Sequence, residues 1–594
     1  MRGLNQVTDL RAMAMCLQRA LDNSALAPTE VQVQRQRGLR FLLEAARDTR
    51  PEQLAEQLRR ETSLPFRVQR LFGKVDRKAD ANNMQNMFLA VLPGISERDL
   101  EISAFDVAYS LTDALPGTIA RAEPDLPQNV YEPHHDPANP LRLRSSGAGG
   151  RPPPLDRYWH LESIRVYDAW QLQPPQGGSR YGEGIIVGHP DTGWTDHLEL
   201  GTKALDLQRQ YDFVQGDRDA RDPLDYRGNR GHGTKTASVI VSRGTVQPPS
   251  DQMVGVAPAA MLVPIRAIKS VVVFLGGDVA KAIHHAVENG CHVISMSLGG
   301  LGSWALEASV NYAVAKNVIV LAAAGNEVGF VVAPAKYDQC IAIAACNNAR
   351  EPWEGSSRGK AVAVTAPGEN VWVAQPGDAG GLGTEVGPGS GTSFAVATVA
   401  GMAALWLAYH GRDNLLSRYR DRATLQEVFR QVVRETAVPP VNWKLDRYGA
   451  GIVDAKALLS ARLPIISLAP RLALEAGGIV AELRVQANTE HLARLFEDLP
   501  RKLVVRQLTT MMRGARAPVK KVRASEQPLE RYATELMHIF GQNPVANRSF
   551  RRSIEAMAGA RSRTAARGAA AESRAVARDV ADFASTTLAR VLVS

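Results

Sequence analysis

Five continuous apolar runs alternate with amphipathic helical patterns between about residues 157 and 460. The runs are GIIVGH, MLVPIRAI, CHVISMSL, VIVLAAAG and CIAIAA, which begin at residues 184, 261, 291, 318 and 340. A strand that is apolar on both faces must be covered on both faces, as in a parallel sheet with helical crossovers. The pattern therefore predicts an α/β domain whose parallel sheet is covered by helices on both faces.

The rest of the chain differs from this domain in composition and pattern. The sequence predicts five segments: an N-terminal helical region at 1–62, an α+β module at 63–127, a linker at 128–156, the α/β domain at 157–461 and a basic, mostly helical region at 462–594. The linker is rich in Pro, Gly, Ser and Arg and can bury little apolar surface. In the first segment, Leu39, Leu42, Leu43 and Ala46 have helical spacing. In the second, residues 96–115 read as a helix between strands.

Composition excludes several classes of protein. Of the 594 residues, 45% are hydrophobic and 22% are charged, which is ordinary for a soluble globular protein and unlike a disordered or fibrous chain. The cysteines are too few for a disulfide framework, and their spacing does not suit zinc. They are Cys16, Cys291, Cys340 and Cys346. We expect reduced thiols.

Positive charge is concentrated toward the C-terminus. The net charge is +9, and the segment from Arg462 onward holds 22 Lys and Arg against 12 Asp and Glu. A basic surface can attract an acidic protein or a nucleic acid. Aromatic residues for base stacking are sparse there and the segment has no nucleic-acid-binding motif, so a nucleic acid is the less favoured partner. A solvated helical bundle and a surface for an acidic protein partner both stay open.

Two stretches bear on cellular location. Charged side chains interrupt the first thirty residues, which lack the continuous apolar core of a secretory signal. Residues 386–410 contain no Asp, Glu, Lys or Arg and are long enough to span a bilayer. Their first seven residues include three glycines and a proline, which favours a buried central helix over a membrane span. We expect a soluble, cytoplasmic protein with no membrane segment.

Three short motifs in the α/β domain carry residues that can do chemistry. Asp191 begins a DTG motif after the first apolar run, His232 lies in GHGT at the start of a helix, and Ser393 ends GTS at the start of another. Strand C-termini and helix N-termini meet at one edge of a parallel sheet, so the motifs can converge. An imidazole activates a serine hydroxyl, and a buried carboxylate fixes the tautomer of the imidazole.

This order of motifs resembles the subtilisin-like (subtilase) serine peptidases over residues 157–460. The resemblance extends to WHLESIRVYDAW at the domain start, GVAPAAMLVPIRAI after the His helix, SMSLGG, AAAGNEVG, VTAPGENV and YGAGIVDA at the domain end. It implies a subtilisin-like fold and a serine endopeptidase that cleaves protein or peptide substrates through an acyl-enzyme. The resemblance also implies roles for individual residues.

In the family's mechanism, Asp191 would orient His232, and His232 would act as general base and then general acid. Ser393 would be the nucleophile, and the Asn326 side-chain amide would stabilise the oxyanion together with the Ser393 backbone N–H. Two further sets of residues would line the substrate cleft. The strand that pairs with the substrate backbone would be Ser297, Leu298 and Gly299. The wall of the pocket before the scissile bond would be Ala323, Ala324 and Gly325.

Some positions depart from the family pattern. Lys235 and Thr236 follow GHGT, where the family usually has His and Val. His189 and Pro190 precede Asp191, where small apolar residues are usual. Phe394 follows the nucleophile in place of Met. No catalytic atom is lost, and the departures indicate a divergent branch.

No cofactor is required for this chemistry. Structural calcium is common in the family but cannot be assigned here, and the acids in the relevant loops are predicted to be solvated. They are Asp196, Asp212, Asp217 and Asp219. The α+β module at 63–127 resembles the inhibitory propeptide of the family, with an unrelated module as the alternative. We expect the flanking regions to regulate or target an intracellular peptidase. The alternative function is a catalytically weak scaffold whose basic C-terminal region binds a partner.

Overall fold

The chain divides into two compact units. A computed structural model describes residues 10–25, 38–127, 156–226, 229–243, 254–271, 275–377, 381–466, 488–512, 528–559, 572 and 575–593. One unit comprises Met1–Pro127 and Gln486–Ser594 together with Ser303–Ala305. The other comprises Gln128–Gly302 and Leu306–Val485. Residues toward the two ends of the chain therefore belong to one unit, and the predicted peptidase domain, apart from Ser303–Ala305, belongs to the other.

The N-terminal part of the first unit is a four-stranded antiparallel sheet with helices. Its elements are α1 (Leu10–Ala25), β1 (Leu39–Ala45), α2 (Pro51–Thr62), β2 (Arg67–Arg70), β3 (Met87–Leu92), α3 (Ala104–Ala114) and β4 (Ile119–Pro124). The strand order is β2-β3-β1-β4, and each neighbouring pair is antiparallel. From β1 onward the succession is the βαββαβ arrangement of ferredoxin-like modules.

Two sequence predictions in this part are wrong. The segment at Leu39–Ala45, predicted as helix, is a strand with six of its seven residues buried. Phe41, Leu42 and Leu43 are consecutive and all buried, so both faces of β1 are covered. The predicted helix over 96–115 is confined to Ala104–Ala114, where the Ser103 hydroxyl accepts a hydrogen bond from the Phe105 N–H at 3.2 Å. The sheet thus spans the predicted boundary between 1–62 and 63–127.

The second unit alternates strands and helices. In chain order its elements are α4 (Trp159–Ser163), α5 (Val166–Gln171), β5 (Ile186–Asp191), α6 (Gly201–Ala204), β6 (Tyr211–Asp212), α7 (His232–Val241), β7 (Met261–Arg266), α8 (Gly276–Glu288), β8 (Val293–Met296), α9 (Trp304–Ala315), β9 (Ile319–Ala323), β10 (Ile341–Cys346), β11 (Val362–Pro367), β12 (Val371–Ala374), β13 (Val386–Gly389), α10 (Thr392–His410), α11 (Arg412–Tyr419), α12 (Leu425–Glu435), α13 (Leu445–Tyr448) and α14 (Ala455–Ser460).

The central sheet has the strand order β11-β10-β9-β8-β5-β7-β6, and every neighbouring pair in it is parallel. The five apolar runs of the sequence form β5, β7, β8, β9 and β10. All residues of β9, β10 and β11 are buried, as helices on both faces require. The predicted α/β fold is confirmed.

Helix α10 lies at the centre of this unit. Among the described residues it is the helix long and apolar enough to cross a membrane, and 94% of its apolar window is buried inside the protein. It packs against β8, β9, β10 and β11 and against α7. The prediction of a buried central helix is confirmed, and burial explains why the helix has no charged side chain.

The C-terminal part of the first unit is helical, as predicted. Its helices are α15 (Asn488–Arg494), α16 (Arg501–Met511), α17 (Pro528–Gln542), α18 (Pro544–Gly559) and α19 (Thr586–Val593). Three fully buried rings form its centre, and their centroids lie 4.5–5.3 Å apart: Phe496, Phe540 and Phe550. The part of the basic region at 513–527 lies outside the described residues.

Helix α3 of the N-terminal part packs against these C-terminal helices. The fully buried Asp106 carboxylate on α3 accepts hydrogen bonds from the backbone N–H groups of Thr586 and Thr587, at 2.9 and 2.8 Å. It thereby caps the N-terminus of α19. Tyr109, one turn further along α3, donates its hydroxyl to Glu535 of α17 at 2.9 Å. Side chains from both ends of the chain therefore build one hydrogen-bonded core.

Candidate active site

The three predicted catalytic residues lie where strands end and helices begin in the second unit. Asp191 is the last residue of β5, in the middle of the parallel sheet. His232 is the first residue of α7, and Ser393 is the second residue of α10. Because α7 packs against both β5 and α10, the three motifs meet at one edge of the sheet although 202 residues separate the first from the last.

Asp191 and His232 form a direct hydrogen bond. The His232 Nδ1 lies 2.8 Å from Asp191 Oδ1, and both side chains are buried. The Thr192 N–H donates to the same carboxylate oxygen at 2.7 Å. Burial by itself would raise the pKa of the Asp191 carboxyl, but His232 and the backbone hydrogen bond outweigh it and lower the pKa. With Nδ1 bound to a carboxylate, Nε2 is the ring nitrogen that can take a proton from Ser393.

Two glycines permit the close approach of the Asp and His segments. A Cβ on Gly233 would lie 2.0 Å from the carbonyl oxygen of Gly193, so no side chain fits next to His232. Gly193 itself has φ +105°, a backbone conformation that favours glycine, and a Cβ there would lie 2.3 Å from the Ala220 carbonyl oxygen. The glycines of DTG and GHGT therefore allow the two loops to touch.

A polar network outside the predicted motifs also holds these loops together. The Thr192 hydroxyl accepts a hydrogen bond from the Gly233 N–H at 3.1 Å and donates to Asp222 at 2.7 Å. The Tyr226 hydroxyl donates to the same carboxylate at 2.6 Å and accepts from the Gly231 N–H at 3.2 Å. Sequence reasoning missed Asp222 and Tyr226, because they lie in an irregular loop without a motif.

The predicted oxyanion residue Asn326 is fixed at the N-terminus of α10. Its Oδ1 accepts hydrogen bonds from the Thr392 N–H at 2.9 Å and from the Thr392 hydroxyl at 2.8 Å. Its Nδ2 is thus left free of this contact as the predicted donor to the oxyanion. This nitrogen lies close to Gly391, since a Cβ added to Gly391 would be 3.4 Å from it. The left-handed residues of the loop are Gly325 and Glu327 rather than Asn326. Thr392, whose role the sequence did not suggest, orients the amide.

The predicted substrate-cleft residues follow two adjacent strands at the same edge. Ser297, Leu298 and Gly299 continue β8, whereas Ala323 ends β9 and is followed by Ala324 and Gly325. The Ser297 hydroxyl donates to the Ser393 carbonyl oxygen at 3.0 Å, which ties the end of β8 to the first turn of α10. The Ala324 backbone is paired on both sides, with Ile343 and Val332.

The predicted pocket wall therefore continues the central sheet. Gly325 donates its N–H to the Thr392 hydroxyl at 3.3 Å, so the wall is also joined to the residue next to Ser393. All of the predicted site residues lie at the carboxyl edge of the sheet, around the start of α10. Their separate roles in binding substrate stay predictions.

One of the acids considered for calcium differs from expectation. Asp212 is fully buried and forms an ion pair with Arg266 of the neighbouring strand at 2.7 Å, so the prediction of a solvated loop acid is wrong for this residue. Asp196 is partly exposed and pairs with Arg221 at 2.9 Å. In the described part of the chain, no group of three or more His, Cys, Asp or Glu side chains could hold a metal ion. Calcium binding stays unassigned.

A buried Asp–His pair, a serine in the first turn of a helix and an oriented amide define a class of enzyme, the serine hydrolases that act through an oxyanion. Among these, the order Asp, His, Ser on a parallel sheet is the arrangement of subtilisin. Comparison with known proteins identifies the family.

The family model for the subtilase family matches residues 182–451. Thermitase of Thermoactinomyces vulgaris is 34% identical over 264 residues, which are 44% of this chain and 87% of thermitase. Subtilisin Savinase of Lederbergia lenta is 30% identical over 291 residues, which are 48% of this chain and 96% of Savinase. For subtilisin E of Bacillus subtilis strain 168, identity is 37% over 194 residues, which are 31% of this chain and 48% of that protein.

A solved structure, the crystal structure of MycP1 with the N-terminal propeptide removed, is 26% identical with a TM-score of 0.39. The match covers 52% of this chain and 98% of that one. From the sequence matches, the chain belongs to the subtilase family, and the matched region is a serine endopeptidase domain. These matches cover about half of the chain or less, so they leave the N-terminal and C-terminal regions unidentified.

Proposed function

We propose that the protein hydrolyses peptide bonds in proteins or peptides through an acyl-enzyme on Ser393. The observation that carries this proposal is the 2.8 Å hydrogen bond between Asp191 and His232, with Ser393 in the first turn of the adjacent helix α10. In the first step, the Ser393 Oγ attacks the substrate carbonyl carbon while its proton passes to His232 Nε2. Asp191 holds the ring and stabilises the imidazolium that forms.

The tetrahedral intermediate carries negative charge on the former carbonyl oxygen. Asn326 Nδ2 and the Ser393 backbone N–H are the donors for that oxygen, since the first N–H groups of a helix have no intrahelical acceptor. His232 then gives its proton to the leaving amine, and the C–N bond breaks. A water molecule attacks the acyl-enzyme by the same route in reverse order, which releases the acid and restores Ser393.

The decisive experiment compares wild-type protein with the Ser393→Ala variant. Wild type should react with a fluorophosphonate probe and digest casein, whereas Ser393→Ala should do neither. The substitution removes one hydroxyl from the second residue of α10 and leaves the N-cap, Gly391, unchanged, so the thermal unfolding midpoint should change little. A Ser393→Ala protein that still digests casein at a comparable rate would refute the nucleophile assignment.

We further propose that the first unit regulates or targets the peptidase. Support comes from its ferredoxin-like N-terminal part, which resembles the family's propeptide, and from its packing with the C-terminal helices through Asp106 and Tyr109. We also propose that the protein acts in the cytoplasm, that its basic C-terminal region binds an acidic protein partner, and that its chemistry needs no cofactor. These proposals rest on the charged side chains within the first thirty residues, the net charge of the region and the composition of the triad.

A further inference from the structure

Two of the positions at which the chain departs from the family pattern, His189 and Thr236, lie beside the catalytic pair. His189 is two residues before Asp191 in β5, and residues i and i+2 of a strand share one face. Thr236 is four residues after His232 in α7, and residues i and i+4 of a helix share one face. These spacings place His189, on β5, and Thr236, on α7, on the same side of their elements as the Asp191–His232 pair.

The two side chains contact each other and the second oxygen of the carboxylate. His189 Nε2 lies 3.0 Å from Thr236 Oγ1, and Thr236 Oγ1 lies 3.4 Å from Asp191 Oδ2. His189 Nε2 is itself 3.8 Å from Asp191 Oδ2. All three side chains are buried. His232 and the Thr192 N–H bind Oδ1, whereas His189 and Thr236 lie next to Oδ2.

The charge state of His189 decides which way the protons point. Burial lowers the pKa of His189 to about 4, with Asp191 acting to raise it and His232 to lower it further. His189 is therefore neutral near pH 7 and carries one N–H. With that hydrogen on Nε2 it donates to Thr236 Oγ1, and the threonine keeps its own proton to donate. Three acceptors lie within its reach: the His232 carbonyl oxygen at 3.0 Å, the Gly233 carbonyl oxygen at 3.3 Å and Asp191 Oδ2 at 3.4 Å.

The histidine depends on the threonine more than the reverse. A buried donor that loses its partner is destabilising, and Thr236 Oγ1 is the hydrogen-bonding partner of His189 Nε2, whereas the Thr236 hydroxyl also has backbone carbonyl acceptors in α7. An apolar pair, as the family pattern has here, needs no such partner. In this chain both positions are polar, and Thr236 gives His189 a hydrogen-bonding partner.

We propose that His189 and Thr236 are positioning residues that hold the Asp191 carboxylate through Oδ2 and thereby fix the orientation of His232. The inference rests on the proposed peptidase function. The carboxylate is then held at both oxygens, and a carboxylate that is held at one oxygen alone can rotate and misalign the imidazole.

A double-mutant cycle tests the pair. Thr236→Val and His189→Leu remove the contact, and the double variant replaces both polar groups with an apolar pair. Each single substitution should lower kcat about tenfold with KM within about twofold of wild type, because the triad geometry rather than the cleft is disturbed. The double variant should be no slower than either single variant, since the two substitutions remove one shared interaction. It should also be more stable to urea than either single variant.

Conservative variants are the controls, because they keep the hydrogen-bonding group at each position. Thr236→Ser keeps the hydroxyl, and His189→Gln keeps a nitrogen donor near the position of Nε2, so both should retain kcat within about threefold. Losses that multiply to about a hundredfold in the double variant, or single variants with wild-type kcat, would overturn the proposal. Failure of His189→Gln and Thr236→Ser to retain activity while folding normally would overturn it as well.

The assay separates this outcome from failure of the proposed function. The cycle is measured only after wild type digests casein and Ser393→Ala does not. If wild type is inactive, the peptidase proposal fails, and the positioning role fails with it. Urea unfolding of the same four proteins would still show whether His189 and Thr236 are coupled, and additive losses of stability would refute the contact itself.

Discussion

Among the substitutions at the site, loss of the Asn326 amide should have the most direct effect on kcat. Asn326→Ala deletes the donor Nδ2 and leaves the Thr392 N–H and hydroxyl without their acceptor. Loss of one oxyanion donor lowers kcat by about 10²–10³, or about 3–4 kcal/mol, a value measured on the relative subtilisin rather than worked out from this structure. KM should change little, since the donor acts on charge that develops in the transition state.

Thr392, which orients the Asn326 amide, allows a second substitution with a smaller expected effect on kcat. Thr392→Val removes the hydroxyl that holds Asn326 Oδ1 at 2.8 Å but keeps the backbone N–H at 2.9 Å. One such hydrogen bond contributes about 0.5–1.5 kcal/mol, so kcat should fall by about 2- to 13-fold. Thr392→Ser keeps the oxygen and is the matched control, with kcat near wild type.

The assay is the initial rate of hydrolysis of a chromogenic peptide anilide, with kcat and KM fitted separately and active sites counted with the fluorophosphonate probe. The expected order of kcat is wild type, Thr392→Ser, Thr392→Val and Asn326→Ala. If Asn326→Ala retains wild-type kcat with all sites reactive, Asn326 does not stabilise the oxyanion. If Thr392→Val is as slow as Asn326→Ala, the hydroxyl has a role beyond orienting the amide.

Three more outcomes follow from the described contacts. First, a site for a specific protease is placed in the linker of the Ser393→Ala protein, which is then cut there. In size-exclusion chromatography the N-terminal fragment should co-elute with the rest of the protein, and Asp106→Ala should weaken this retention. Release of the fragment without Asp106→Ala would contradict the packing of α3. Burial raises the pKa of Glu535 to about 7 from its usual 4.5, against the hydrogen bonds from Ser585 and Tyr109. The folded state therefore keeps its proton to higher pH, and the first unit should lose up to about 3 kcal/mol as pH rises from 4.5 through 7, a loss that Glu535→Gln should flatten in urea unfolding. Asp212→Ala should cost about 3–5 kcal/mol because it leaves Arg266 unpaired in the core, while Asp219→Ala, at an exposed site, should stay within about 0.5 kcal/mol of wild type in the same measurement.

The sequence predicted the parts of the molecule that depend on local pattern. The strands of the parallel sheet were visible because their residues are apolar on both faces. Asp191 and His232 could be placed together because a strand end and a helix start meet at the edge of such a sheet. These inferences used only the local residue pattern and one rule of sheet topology.

The errors arise where a pattern has two readings or a contact joins distant segments. The consecutive apolar residues of β1 fit a buried strand as well as a helix, and only the pairing with β3 and β4 decides. The burial of Asp212 depends on Arg266, 54 residues away, and the orientation of Asn326 depends on Thr392, 66 residues away. No spacing rule joins those positions, since their contacts exist only after the sheet has formed.

The packing of both chain ends into one unit sets the order in which the protein can be completed during synthesis. Helix α3, with Asp106 and Tyr109, leaves the ribosome early, whereas the groups that bind them, around Glu535 and Thr586, come more than 400 residues later. Domains fold as units as they emerge, so the peptidase domain can be complete while Asp106 and Tyr109 of α3 still lack these partners. At about 5–20 residues per second, that interval lasts about 20–100 s. The first unit therefore closes after the peptidase domain, once α17 and α19 have been made.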